Sequence, residues 1–249
     1  EPVWKQYAKY LWNLLHLDLG HSYIYKTDTV WKTIQRGWPA TAKIGSVTVL
    51  IALSVGTTMG ILAALRQNSG FDYIVTLLAT TGITVPNFAV AVWLVMFVAV
   101  KLDLLPTQGW GTWQHMVLPV VAYSLAPLGL VARFTRVSML EAMRSDYVRT
   151  ARAKGLAEST VIIRHVLKNS MIPVITIVSL SIGGLLGGTV VMETVFSIPG
   201  IGLYLIQSII VRDYTVTQAL VLFFASTFIL INLVVDITYG WLDPRISQS

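Results

Sequence analysis

Few residues in this sequence could do chemistry, and their surroundings limit what that chemistry is. Two carboxylates, Glu193 and Asp236, stand beside or within long apolar runs. Ionisable groups placed this way are functional candidates by default, because a lone charge in hydrocarbon is costly. Glu193 falls near the outer end of its run and Asp236 near the inner end, so each is expected to reach interfacial water. Pairing or capping is the plainer role for both, and a direct part in translocation the sharper one. The histidines, His16, His21, His115 and His165, show no metal-ligand spacing on one predicted helix, so no metal site is expected. Cysteine is absent, which removes disulfides and thiolate sites. No Gly-x-x-x-x-Gly-Lys-Ser/Thr loop is present to cradle a phosphate, so the chain is not expected to bind ATP. No nucleophile elbow or intramembrane catalytic pair stands out, and no catalytic residue is assigned.

What remains is a charge-dense stretch and a glycine cluster. Ser145–Gly155 reads as a short helix, with Ser145 or Asp146 capping its start. Gly155 is suited to end it in the left-handed conformation, with Lys154 at the negative end of the helix dipole. Tyr147, Thr150, Ala151 and Lys154 fall at helical spacing on one face, and Arg149 and Arg152 lie together on another. The small residues Thr150 and Ala151 leave room for a partner surface to come close. A second helix, Glu158–Ser170, runs back toward Pro173. From charge alone this is equally a solvated basic loop or one lying on anionic lipid. The glycines Gly183, Gly184, Gly187 and Gly188 form two small-xxx-small pairs. Close helix packing is their default role, and lining a pathway is the alternative.

The elements that position these residues follow from composition. The chain is 55% hydrophobic and 12% charged, with a mean hydropathy of +0.68. Soluble domains carry about 25% charged residues, so the chain is read as an all-α membrane protein. Crossing a bilayer takes about 20 mainly apolar residues. Five such stretches occur: Thr41–Leu65, Tyr73–Val100 with a break at Pro86, Met116–Val131, Ile172–Val195 and Thr215–Tyr239. Pro119 and Pro127 predict bends in the third. The segment 1–39 is an amphipathic lead-in whose Trp4, Tyr7, Tyr10, Trp12, Tyr23, Tyr25, Trp31 and Trp38 suit a membrane–water boundary. Phe196–Tyr214 reads as a re-entrant or interfacial piece. The body is 40–240, and 241–249 is a tail.

The formal net charge is +6, and Arg133, Arg136, Arg144, Arg149, Arg152, Lys154, Arg164 and Lys168 crowd into one loop. Positive loops face the cytoplasm, which puts 145–173, the Arg66–Asp72 turn and the tail inside and the lead-in outside. The lead-in's own lysines and Arg36 pull against that assignment. An odd number of spans leaves the visible start outside, and one further span ahead of Glu1 would restore a cytoplasmic start.

The residue order of the loop carries a resemblance. Tyr147-Val-Arg-Thr-Ala-Arg-Ala-Lys-Gly-Leu156, then Arg164-His165-x-Leu167-Lys168-Asn169-x-x-Ile172-Pro173, resembles binding-protein-dependent ABC permeases, and within them the first permease subunit of dipeptide, oligopeptide and nickel importers. Asp18-Leu-Gly20, Glu193-Thr-Val-Phe-Ser-Ile-Pro-Gly200-Ile-Gly202, Arg212-Asp-Tyr214, Asn232-Leu-Val-Val-Asp236 and Asp243-Pro-Arg-Ile246 fit as well. Arg149-Thr150-Ala151 stands where the wider family has Glu-Ala-Ala, with Gly155 on its glycine. His165-x-Leu167-Lys168 stands where that family has Ile-x-Leu-Pro. Both departures are those of the peptide/nickel branch.

The resemblance implies a type I ABC importer transmembrane domain with six helices, five of them visible here, in the cytoplasmic (inner) membrane of a prokaryote. It implies a second, similar permease, two ATPase subunits that bind ATP and magnesium, and an extracytoplasmic substrate-binding protein. Asp146, Tyr147, Arg149, Thr150, Ala151, Arg152, Lys154, Gly155 and His165 would then couple to the ATPase. Gly183, Gly184, Gly187, Gly188 and Glu193 are the pathway candidates. Peptide is the expected cargo. A nickel chelate is the alternative, because Leu105–His115 resembles the nickel subset. An ATPase-independent channel or secondary transporter is the rival of another class, and it would call for buried ion-pathway charges and an internal repeat. A membrane anchor for another complex is a further rival, one that has no need of so specific a loop.

Overall fold

A computed structural model describes residues 1–25 and 28–242, with side chains except at 177–188, 236 and 238–242. The described residues are helical apart from loops and one isolated bridge between His21 and Thr29. In chain order the helices are α1 (Val3–Leu15), α2 (Val30–Leu65), α3 (Gly70–Thr84), α4 (Asn87–Leu94), α5 (Gln114–Met143), α6 (Asp146–Ala153), α7 (Glu158–Thr160), α8 (Lys168–Val195), α9 (Ile201–Ile210) and α10 (Tyr214–Leu242). Two π-helical segments extend them: Val95–Lys101 after α4, and Val161–Leu167 between α7 and α8. Helices α2 and α5 and residues Tyr214–Val235 of α10 are each long and apolar enough to cross a membrane.

Local sequence sets most of these boundaries. Thr29 opens α2 by accepting the amide of Lys32. Ser69 opens α3 by accepting the amide of Asp72 at its hydroxyl. Val85 ends α3 in an extended conformation, as the residue before Pro86 must. The chain resumes at Asn87, and the pair α3–α4 is bent by 104° at the break.

The first long helix begins at Val30, ahead of the Thr41 start expected from sequence, and Pro39 lies inside it. A proline there removes one helical hydrogen bond. Packing offsets the loss: Val30 and Ile34 are buried against Ile201, Val216, Ala219 and Leu220 of α9 and α10. In α5, Pro119 and Pro127 also lie within one unbroken helix.

Helices α2, α3 and α5 approach backbone to backbone. A Cβ on Gly60 of α2 would meet the Ala132 carbonyl at 2.5 Å, and one on Gly56 the Leu128 carbonyl at 2.9 Å. Between α3 and α5 the glycines are reciprocal. Gly129 faces the Ala79 carbonyl at 2.5 Å and Gly82 the Leu125 carbonyl at 2.7 Å. Small residues permit such seams where apolar burial gives no preference for protein over lipid. Gly56 and Gly60, one turn apart on α2, are therefore one half of a three-helix contact.

The bundle has two ends. At one, the C-terminal turns of α2 and α5 meet α6 and the first π-helical turn of α8's approach, through Ala64, Met139, Val148, Ala151, Val161 and Val166. At the other, the start of α2, the end of α8, α9 and the start of α10 come together.

Candidate functional site

An eight-residue helix is marginal by itself in water, so α6 must be held by its surroundings. Three devices hold it. Val148 is fully buried and Ala151 nearly so, both against Met139 and Ala64. Burying a valine contributes about 1.5–3 kcal/mol. Gly155 ends the helix at φ +73°, and its amide donates to the Arg152 carbonyl at 3.0 Å while that of Leu156 donates to Ala151 at 3.4 Å. That pair of bonds is a Schellman cap. Finally, Arg152 makes a two-pronged bond to Glu158, at 3.1 and 2.6 Å, which fixes α6 to the start of α7.

Several loop residues stand where sequence placed them, and some do not. Tyr147, Arg149, Thr150 and Lys154 are exposed. Arg149 lies 3.5 Å from Asp146 with both side chains largely in solvent, so it remains open to a partner. Ala151 does not share the exposed face: it turns inward with Val148, which the sequence reading had not singled out. Ser145 holds the N-cap position without capping by its side chain. Its hydroxyl donates instead to the Ala142 carbonyl at 2.6 Å, closing the turn out of α5. Arg152 is engaged by Glu158 and no longer stands beside Arg149 as a free cation. The second loop helix is not a separate piece. It runs from Glu158 through the π-helical segment that carries Arg164 and His165 into α8, with Pro173 inside that helix.

Glu193 sits at the opposite end, and its setting differs from the one expected. It is fully buried rather than reaching interfacial water. Thr41 of α2 donates to its Oε1 at 2.7 Å, and the Leu203 amide to its Oε2 at 3.0 Å. Gly202 and Thr189 also hydrogen-bond to it. The same Thr41 hydroxyl accepts the Ile201 amide at 2.9 Å. These are the free N–H groups of α9's first turn, which every helix start must satisfy. Glu193 and Thr41 together cap α9 and tie it to α2 and α8. The Glu193–Gly202 motif then has a steric reading. A Cβ at Gly200 would collide with the Glu193 carboxyl group, and one at Gly202 would lie 2.6 Å from the Val190 Cα.

A third constellation joins the lead-in to the α9–α10 corner. Asp213 is buried and accepts from the Ser22 hydroxyl, from the Tyr23 amide at 3.1 Å and from the Val216 amide at 3.3 Å. Burial would raise its carboxyl, but these bonds and one from Ile24 hold it below the usual carboxylate range. Beside it lies a cavity of about 330 Å³ lined by Tyr25, Asp28, Arg36, Tyr204 and Gln207 among others. The sequence offered Arg212-Asp-Tyr214 only as part of a resemblance and gave no hint of Ser22. Sequence reasoning also missed Asp72, which pairs with Arg136. The Ser69-x-x-Asp72 spacing was the available signal. Gly183, Gly184, Gly187, Gly188, Asp236 and the 243–249 part of the tail lie outside the described residues or side chains.

Residues 56–248 match the family described as binding-protein-dependent transport system inner membrane component. The chain is 40% identical over 246 residues to the dipeptide transport system permease protein DppB of Bacillus subtilis (strain 168), covering 99% of this chain and 80% of that one. It is 40% identical over 248 residues to the oligopeptide transport system permease protein OppB of Salmonella typhimurium, covering 99% and 81%. Among solved structures it resembles an inward-facing MetNI methionine ABC transporter, with a TM-score of 0.72 at 16% identity over 86% of this chain and 97% of that one, which shows a shared fold. With the motif order, the helical body and these relatives in agreement, the chain belongs to the family of binding-protein-dependent transport system inner membrane components.

Proposed function

We propose that the chain is the peptide-conducting permease subunit of an ATP-driven importer, paired with a second, similar permease. The observation that carries this reading is identity to dipeptide and oligopeptide permeases along essentially the whole chain. The exposed, capped α6 supports it, because its open residues Tyr147, Arg149, Thr150 and Lys154 form a small basic surface suited to a groove on an ATPase. Two ATPases bind and hydrolyse ATP, and the binding protein delivers cargo at the opposite end, near α9 and the lead-in. Cargo moves by alternating access. ATP binding draws the ATPases together, α6 moves with them, and the permease pair opens outward. Hydrolysis resets it inward. Nucleotide shifts the permease between states only through differential contact with α6 in each.

The test is reconstitution of the complete complex in vesicles, with binding protein and labelled dipeptide outside and ATP within. Uptake that requires ATP and is abolished by charge reversal of Arg149 is the expected result. Uptake persisting without the ATPases would point to a channel. Uptake of a nickel chelate with none of peptide would move the chain to the nickel branch.

A further inference from the structure

The turn between α2 and α3 contains an ion pair to which neither the family match nor the reading above gives a role. Asp72, in the first turn of α3, is 1% exposed. Arg136 of α5 donates to it through Nε at 2.5 Å and Nη2 at 2.7 Å. The Asn68 amide donates to the same carboxylate at 3.0 Å, and Asn68 itself sits at φ +61°. One carboxylate therefore holds three things: the turn out of α2, the start of α3, and α5. A bidentate guanidinium–carboxylate contact fixes direction as well as distance.

The pair has a position as well as a strength. On one side of it lie the glycine seams that bind α2, α3 and α5 backbone to backbone. On the other side, one turn further along α5, Met139 packs against Val148 and Ala151 of α6. Helix α6 touches the ends of α2 and α5 through that cluster, whose members include no residue of α3. Helix α3 in turn leads through the 104° bend into α4. Movement of α6 reaches the bent α3–α4 pair from α2, through the turn at Asn68, and from α5, and the Asp72 carboxylate holds both to the start of α3.

We propose that the Asp72–Arg136 pair is a positioning element that makes α3–α4 follow displacements of α6, so that ATPase movement is delivered to that part of the bundle. This rests on the proposed importer reading. Loss of the pair then uncouples hydrolysis from transport without dismantling the permease.

The experiment uses the full complex in vesicles and reads peptide transported per ATP hydrolysed, normalised to assembled complex. Single substitutions leave a buried charge alone and threaten folding, so the informative variant is the double apolar replacement Asp72→Leu with Arg136→Met. Assembly near the wild-type level, with transport per ATP reduced about 5-fold or more, is expected, the lower end of usual coupling between sites. The reversed pair, Asp72→Arg with Arg136→Asp, is expected to recover part of the ratio. An unchanged ratio in the apolar variant overturns the proposal. So does a parallel loss of transport and hydrolysis, which is what a purely structural pair would give. If the wild-type complex itself shows no ATP-dependent uptake, the importer reading has failed, a result distinguishable from either.

Discussion

The two ends of the bundle hold their polar groups in opposite ways. At the far end the Glu193 carboxyl group is enclosed, and protein donors from α2, α8 and α9 converge on it. At the loop end α6 keeps Tyr147, Arg149, Thr150 and Lys154 in the open and anchors itself through Val148, Ala151 and the Arg152–Glu158 bond. The first end is saturated, with α9's opening amides paired inside the fold. The second is incomplete by construction, because a helix of eight residues displays charges that the chain itself leaves to solvent. A saturated buried network specifies one geometry. An exposed charged face costs little to leave open and is available for an outside surface.

That contrast can be broken by mutation. The largest effect is expected from Glu193→Ala. It leaves the Gly202 and Leu203 amides without their acceptor, at about 1–3 kcal/mol for each group left unpaired. The amount of folded permease in membranes and its thermal midpoint should both fall, and Glu193→Gln, which keeps acceptor capacity, should lose less. A Glu193→Ala protein with normal stability and abolished transport would instead make Glu193 a pathway residue and remove the distinction between the two ends.

The Asp213 clamp gives a smaller, pH-dependent effect. Its folded carboxyl is held below the ordinary value, which for Asp is about 3.9. The stabilisation is therefore present above that value and is lost as pH falls through the lower, folded one. Thermal midpoints of the purified complex should be insensitive to this group near neutrality. They should drop on acidification below about pH 4, and Asp213→Asn should remove that component. A wild-type and variant acid profile that superimpose would show the clamp to be inert.

The smallest effect is expected at Gly155. Nothing lies within 4 Å of a Cβ placed there, so Gly155→Ala costs only backbone strain at φ +73°, about 1–2 kcal/mol. Folded yield should barely change, while ATP-driven uptake falls several-fold if the cap sets the angle of α6. Equal loss of yield and uptake would place Gly155 with the structural glycines of the seams.

What the sequence disclosed divides by range. Local rules located α6, its end at Gly155 and the break at Pro86, because caps, left-handed glycines and prolines act on their immediate neighbours. The Ser69–Asp72 cap is equally local and was overlooked. Contacts across the fold were silent: Thr41 to Glu193 spans 152 positions, Asp72 to Arg136 spans 64, and Ser22 to Asp213 spans 191. No periodicity links such positions. Glu193 stood out as an ionisable residue beside an apolar run, but proximity to the run's end suggested water where the fold supplies Thr41. Ala151 was assigned to an open face because helical spacing groups residues without saying which way the group turns. The α2 start at Val30 was hidden by Pro39, whose local penalty was outweighed by packing that only the assembled helices provide.

The reciprocal glycines of α3 and α5 have a consequence for how this protein is able to vary. Leu77 and Leu78 of α3 are exposed, and exchanging one bulky apolar residue for another there disturbs little. At neighbouring Gly82, and across the seam at Gly129, even one added methyl group would press on a carbonyl oxygen. Substitutions should therefore accumulate along one stripe of the helix and be purged from the adjacent one. A saturation library scored for uptake would draw the contact line between the two helices without any coordinates.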